Sequence, residues 1–214
     1  MNLRAYNLSE ESSKLQDYTA TTIFYKYYEE EFINKILSWI NTLGPYKKIR
    51  SRVKRGQREL IVEVYDKNLG EWFNISDCGS GIANALPILI TLATADEDCS
   101  IFIEEPETGL HPAAQLELAE IIADVARKNQ IIITTHSELI LMKFLRYVLQ
   151  GKIKEKDLAI YVVYKDEEGT KVHRVAPKIP LEELPENVEK ALEAVGARGI
   201  FEESLIEVEK LAEE

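Results

Sequence analysis

The 214-residue chain has few of the features that mark membrane, secreted or disordered proteins. It has 2 cysteines, 7 prolines and 10 glycines. No apolar run reaches the roughly 20 residues that a membrane span requires. The first residues, MNLRAYNLSEE, lack the basic-then-apolar plan of a signal peptide. These absences predict a folded cytoplasmic protein with no membrane partner. Cys78 and Cys99 fit a reducing compartment, and the sequence leaves a disulfide between them open.

The chain also lacks a phosphate-binding loop. The pattern G-x-x-x-x-G-K-[ST] places backbone N–H groups and a lysine around the β- and γ-phosphates of a nucleotide, and it has no match here in any register. Gly79-Ser80-Gly81 is followed by isoleucine rather than lysine. The residues before Cys99 show no succession of strand, glycine loop and helix. We therefore expect any nucleotide site built by these residues to be incomplete.

Two adjacent carboxylates follow a short apolar run. Residues 99–103 are rich in β-branched side chains, which is typical of a buried strand in a parallel sheet. Glu104 and Glu105 lie where this strand would leave the sheet, and open α/β sheets bind ligands beyond the carboxyl ends of their strands. Pro106 would end the strand, and Pro112 suits the first position of a helix. Paired acids at such a place suit one metal-holding and one water-activating carboxylate.

Hydrophobic periodicity predicts strands that alternate with helices, which indicates an α/β fold with parallel pairing. We divide the chain into a helix with antiparallel strands at 1–76, the α/β part at 77–178, and an acidic helical tail at 179–214. The predicted elements are a helix at about 23–43, strands near 48–54, 59–65 and 72–75, an apolar helix to about 93, a strand at 99–104, a helix at 112–127, a strand at 131–135, a helix at 137–150, a strand at 159–164 and two C-terminal helices.

The net charge of −11 is unevenly distributed. Residues 181–214 hold eleven glutamates against three basic residues, whereas Lys47 to Arg58 is a basic stretch. The basic stretch is compatible with a nucleic-acid contact or with a solvated hairpin arm whose lysines and arginines protect a sheet edge. We favour the hairpin arm, and the acidity of the whole chain gives a nucleic-acid contact no extra support.

Two further segments can carry chemistry. His136 directly follows the strand-like IIITT, so it would share a sheet edge with Glu105, where an imidazole can orient a water or donate to a phosphate oxygen. Gly79-Ser80-Gly81 precedes an apolar helix, whose N-terminal N–H groups favour an anion. Each segment alone also fits a structural role, as a helix cap or a glycine turn.

Three stretches together, DCGSGIANALPILI, IFIEEPETGLHPAAQ and IIITTHSEL, resemble the C-terminal half of an ABC-type ATPase head. They are most similar to ATPases of the overcoming-lysogenization-defect, RecF and SMC-like group. The stretches correspond to that group's glycine signature, its Walker B strand with the following loop, and its switch histidine. The resemblance covers residues 70–150 and extends more weakly to about 176. It implies a three-layer P-loop NTPase-like fold without the P-loop strand and helix.

The resemblance implies a role for each matching position. Glu104 would stand on the Mg²⁺ side, Glu105 would be the general base, and His136 would contact the γ-phosphate region. Ser80 and Gly81, with Gly79, would reach the nucleotide bound by an opposite subunit. Ala83 and Asn84 differ from the serine and glutamine that relatives often carry there. Thr108 to His111, including Gly109, would form the loop that communicates across a head-to-head dimer.

The resulting expectation is an ATP-binding and ATP-hydrolysing head portion that needs ATP, Mg²⁺ and a P-loop-bearing partner or N-terminal part, and that is inactive alone. It would act in a homodimer or with that partner. The exposed edge of strand 131–135 would be covered by a partner strand, a second copy or strand 159–164. A non-catalytic interaction module derived from the same fold is the alternative. A third hypothesis is a metal-dependent hydrolase that uses Glu104, Glu105, Glu107 and His111.

Overall fold

The computed structural model describes residues 3–4, 22, 29–53 and 60–175, and all that follows concerns these residues. The chain divides into two compact units, residues 1–140 and 141–214. Among the described helices, none is long and apolar enough to cross a membrane. The helices and strands are β1 (Leu3–Arg4), α1 (Glu30–Leu43), β2 (Tyr46–Val53), β3 (Leu60–Asp66), β4 (Glu71–Asn74), α2 (Ser80–Thr94), β5 (Ser100–Glu104), α3 (Pro112–Val125), β6 (Gln130–Thr134), α4 (Glu138–Leu149), β7 (Ile160–Asp166) and β8 (Gly169–Val175).

A parallel sheet in the order β1-β5-β6 forms the first layer of the first unit. Ile101 and Ile103 of β5 are 3% and 6% exposed, which explains the apolar composition of this strand. Helix α3 connects β5 to β6, as the predicted β-α-β unit requires. Glu104 pairs with Thr134 at the carboxyl ends of the two strands. Strand β1 was not predicted, because two residues carry no readable periodicity.

An antiparallel sheet, β2-β3-β4, confirms the predicted hairpin and its third strand. Its inner face presents the buried side chains of Ile49, Val62 and Val64, and α1 packs on β2. Helix α1 was predicted to begin at residue 23. Glu29 instead has extended backbone angles and precedes a helix that begins at Glu30. The predicted start itself lies outside the described residues.

Helix α2 lies in the core, where it packs against α1. It is apolar on nearly every side, which is typical of a helix that is buried all round. Pro87 lies inside it, and the Thr91 hydroxyl donates to the Pro87 carbonyl at 2.9 Å. The α2 side chains that are buried are Ile82, Ala85, Leu86, Pro87, Ile88, Leu89, Ile90, Thr91 and Leu92.

The second unit contains most of α4 and an antiparallel hairpin of β7 and β8. The strand predicted at 159–164 is present as β7, but it does not fill the edge of the parallel sheet. It pairs with β8 in a separate two-stranded sheet, because the Glu167–Glu168 turn returns the chain directly. The predicted acidic helices at 179–214 lie outside the described residues.

Candidate functional site

Glu105 is held at the carboxyl end of β5 in an unusual backbone conformation. Its φ angle is 42°, a region that non-glycine residues rarely occupy. Its N–H donates to the Thr134 carbonyl at 2.8 Å, which extends the β5–β6 ladder by one bond. Its carboxylate lies 3.8 Å from His136 Nε2, and the two side chains are 56% and 86% exposed. The predicted meeting of Glu105 and His136 at one sheet edge is present, and both groups are open to solvent.

Glu107 ties the loop after β5 to the loop after β6. Its Oε1 accepts a hydrogen bond from the His136 backbone N–H at 2.7 Å. Its Oε2 is buried and has no hydrogen-bond partner in the described structure. The sequence suggested Glu107 only as a metal ligand, because nothing in the spacing reveals a bond between a side chain and a backbone N–H 29 positions away.

Gln115 makes a second connection between the same two loops. Its Nε2 donates to the Leu110 carbonyl at 3.0 Å, and its Oε1 accepts from the Ser137 hydroxyl at 2.6 Å. The Ser137 hydroxyl also accepts from the Ile140 N–H at the start of α4. Gln115 was not predicted as a site residue, although its place in the first turn of α3 was a signal in the sequence. The side chains of Glu107 and Gln115 thus join the loop that carries Glu105 to the loop that carries His136.

The segment Gly79-Ser80-Gly81, which we call the glycine turn, packs directly against the loop after β5. A Cβ on Gly81 would lie 2.6 Å from the Gly109 carbonyl oxygen, and a Cβ on Gly109 would lie 2.5 Å from Ser80 Oγ. Asn84 Nδ2 also donates to the Thr108 carbonyl at 3.3 Å. Gly109 has a φ of 76°, so it meets both a conformational and a steric demand. The predicted signature and loop residues are therefore neighbours within one chain.

His111 and Gly79 flank helix starts. His111 precedes α3, and its Nδ1 accepts from the Ala113 N–H at 3.3 Å, so its observed contact is that of a helix cap. Gly79 precedes α2 with a φ of 93° and makes no side-chain cap, which leaves the N–H groups of that helix start without a side-chain acceptor from the cap position.

Metal-binding capacity at the site is limited to few ligands. The described residues contain no group of three or more His, Cys, Asp or Glu side chains arranged to hold a metal. Glu104 and Glu105 are both exposed at the strand end. One or two carboxylates fit Mg²⁺, which usually completes its octahedral shell with water and substrate phosphate oxygens.

Away from this edge, burial and ion pairing shift several titrations. Burial raises the pKa of the Cys78 thiol and that of the neighbouring Tyr46 phenol. Both cysteines are free thiols, which answers the question of a disulfide. The Arg52 guanidinium, with that of Arg50, lowers the pKa of Glu63 against the opposing effect of burial.

Comparison with known proteins gives the family and the fold of the chain. The profile of the AAA ATPase domain family matches residues 5–141. A structure from work on ATP-driven dimerization and DNA-stimulated activation of SMC ATPases is similar at a TM-score of 0.54 and 13% identity, over 82% of this chain and 97% of that one. An Smc head with a coiled coil and joint from Pyrococcus yayanosii gives 0.53 and 15%, over 78% of this chain and 29% of that one.

An Smc head bound to the C-terminal winged-helix domain of ScpA gives a TM-score of 0.53 at 15% identity, over 82% of this chain and 55% of that one. The chain thus spans about a third to a half of the last two Smc head structures, which are longer than the first. At such identities the likeness shows the fold. The family match covers well over half of the chain. The chain is a member of the AAA ATPase domain family, and its fold is similar to the P-loop NTPase-like fold of SMC heads.

Proposed function

We propose that these residues form the water-activating half of an ATPase head, and that the phosphate-gripping half comes from outside them. The observation that supports this most is the approach of Glu105 and His136 at the carboxyl edge of β5 and β6. The absence of any G-x-x-x-x-G-K-[ST] sequence supports the second part of the proposal.

Glu105 is the proposed general base. Its positive φ turns the residue out of the strand, while the bond from its N–H to Thr134 fixes the backbone from which the carboxylate projects. A carboxylate held in this way can accept a proton from a water molecule. His136 lies within 4 Å and is fixed through its own N–H to Glu107, so its imidazole can orient that water or contact a phosphate oxygen.

Glu104 is the proposed metal-side carboxylate. It is exposed at the last position of β5, directly beside Glu105, and it would hold Mg²⁺ through water. Mg²⁺ bound with ATP would neutralise phosphate charge.

The glycine turn and the loop after β5 form the proposed surface toward a second head. The N-terminus of α2, with Gly79, Ser80 and Gly81, would face the nucleotide held by the opposite subunit. Thr108, Gly109 and His111 would lie at the same dimer boundary. Because Gly81 and Gly109 are in contact, a displacement of the α2 N-terminus at this boundary would also displace the loop that carries Glu105.

The open edge of β6 is the proposed entry point for the missing half. Within the described residues β6 pairs with β5 on one side, and Ile132 remains 42% exposed. Apolar edge strands without charged or proline protection are usually covered. A parallel strand that leads into a phosphate loop would place that loop beside Glu105 and His136. The division into parts at 1–76, 77–178 and 179–214 remains part of this proposal.

A hydrolysis assay with reconstitution tests the proposal. The chain would be mixed with a purified P-loop-bearing polypeptide, and phosphate release from Mg·ATP would be measured. The first polypeptide to use is one encoded by a neighbouring gene. Turnover that appears only in the mixture and falls at least about a hundredfold with Glu105→Gln is the expected result. If association with the P-loop polypeptide occurs without any turnover or nucleotide dependence, the non-catalytic module replaces the ATPase.

A further inference from the structure

The outward face of the β2-β3-β4 sheet concentrates positive charge and aromatic rings. Successive strand residues point to opposite faces, and Ile49 is 2% exposed toward the core. Lys48, Arg50 and Arg52 therefore share the outer face. The register places Lys48 opposite Tyr65, Arg50 opposite Glu63, and Tyr65 opposite Trp72. We call this set the basic face; its residues are Lys48, Arg50, Arg52, Glu63, Tyr65 and Trp72.

The two guanidinium groups of the basic face are fixed in place. Glu63 accepts from Arg50 Nε at 2.7 Å, and from Arg52 Nε and Nη2 at 2.7 and 2.6 Å. The Arg50 guanidinium also stacks 4.0 Å from the Trp72 ring centre. The arginine side chains nevertheless stay 40% and 46% exposed. A ligand would meet donors that have already lost much of their side-chain entropy, which lowers the cost of binding.

Charge on the basic face is opposite in sign to that of the chain. Three cations stand against the single carboxylate of Glu63, on a protein whose net charge is −11. Tryptophan, tyrosine and arginine are also the residues most enriched at the energetic centres of protein interfaces. We propose that the basic face is a docking surface for an acidic protein segment.

Two observations favour a protein over a nucleic acid. The Trp72 ring is covered by Arg50, and the Tyr65 ring has the Lys48 ammonium 5.3 Å from its centre, so neither offers an open platform for stacked bases. The chain's isoelectric point of about 4.9 is also far below that of typical nucleic-acid-binding domains, so a long phosphate backbone would be repelled beyond the face. A short acidic segment would feel mainly the local charge.

Fluorescence anisotropy of the full chain with a labelled polyglutamate peptide, no longer than the strands of the basic face, tests this docking surface. A labelled 20-nucleotide single strand and a duplex are measured in the same low-salt buffer. The neutralised variant carries Arg50→Gln, Arg52→Gln and Glu63→Gln together, so that no buried carboxylate is left unpaired. Lys48→Gln is a milder second variant. Lys128→Gln is the matched control, because this exposed lysine pairs with Glu97 and lies outside the basic face.

The peptide is expected to bind, with a Kd that rises about tenfold in the neutralised variant, less in Lys48→Gln, and not in the control. Glu63→Gln alone removes the single negative charge and should tighten binding wherever the variant is folded by circular dichroism. Equal peptide affinity in the wild type, the neutralised variant and Lys48→Gln would overturn the proposal, as would no peptide binding at low salt. Tighter binding of either nucleic acid, with the same sensitivity to the variants, would assign the face to nucleic acid instead.

Discussion

Glu63 lies in β3 and Glu105 directly follows β5 in the same unit, yet the two glutamates differ in burial, in their partners and in backbone conformation. Glu63 is 5% exposed and is held by two guanidinium groups, which lower its pKa. Glu105 is more than half exposed, has a strained backbone and faces an imidazole at 3.8 Å. A buried, fully paired carboxylate serves the fold, whereas an open one fixed through its backbone is available for chemistry.

We expect the largest change in the free energy of unfolding when the ion pairs of Glu63 are broken. Replacing Arg50 and Arg52 together by methionine leaves a buried carboxylate without a partner, which should lower the free energy of unfolding by about 3 kcal/mol. Glu105→Gln, by contrast, should change it by less than about 0.5 kcal/mol. Urea unfolding followed by circular dichroism measures both. Equal effects of the two changes would remove the distinction between the two acids.

The next effect concerns the backbone packing of the Glu105 loop. Gly109→Ala adds a methyl group 2.5 Å from Ser80 Oγ at a φ of 76°, and should destabilise by about 2 to 3 kcal/mol. Gly151→Ala is matched in backbone angle, with a φ of 70°, but nothing lies within 4 Å of the added Cβ. Its cost should be about 1 kcal/mol in the same unfolding experiment. Similar costs for both would show that the contact between the two glycine segments is loose.

A smaller effect of opposite sign is expected at Glu105 itself. Glu105→Gly relieves the φ of 42° and should raise the free energy of unfolding by up to about 1 kcal/mol, while removing the proposed base. Glu104→Gly, at the last residue of β5, should lower it by about 0.5 to 1 kcal/mol. Thermal unfolding of the two variants side by side gives the comparison. Destabilisation by Glu105→Gly would mean that its side chain supports the fold, as Glu63 does.

The smallest effect is a pH dependence. Because the folded-state pKa of Glu63 lies below its usual 4.5, the ionised group stabilises the fold fully above that pH, and this contribution is lost as the pH falls through the lowered pKa. The difference in unfolding free energy between the wild type and Glu63→Gln should therefore shrink below about pH 4.5. A difference that stays constant down to pH 3 would contradict the ion pairing.

Much of the fold could be predicted from periodicity. The parallel β5–β6 unit, the β2–β3 hairpin and the buried helix α2 each carry a strong apolar pattern, and each is present. The meeting of Glu105 and His136 followed from their shared position after neighbouring parallel strands. The hydrogen bonds that hold the site in place could not be predicted in this way, because Glu107 accepts from a backbone N–H 29 positions away and Gln115 accepts from the Ser137 hydroxyl 22 positions away. Strand β1 depends on its parallel pairing with the distant β5, which a two-residue segment does not encode. The pairing of β7 with β8 is local, through the turn at Glu167–Glu168, and a strand predicted at 159–164 could not show which sheet it would join.

The most direct test of the central claim is phosphate release from Mg·ATP by the purified chain without any partner. A half-site without a phosphate loop should show no turnover above that of the Glu105→Gln variant, at any protein concentration. Sustained hydrolysis by the chain alone that Glu105→Gln abolishes would contradict the account, because it would show that these 214 residues already hold a complete ATPase site.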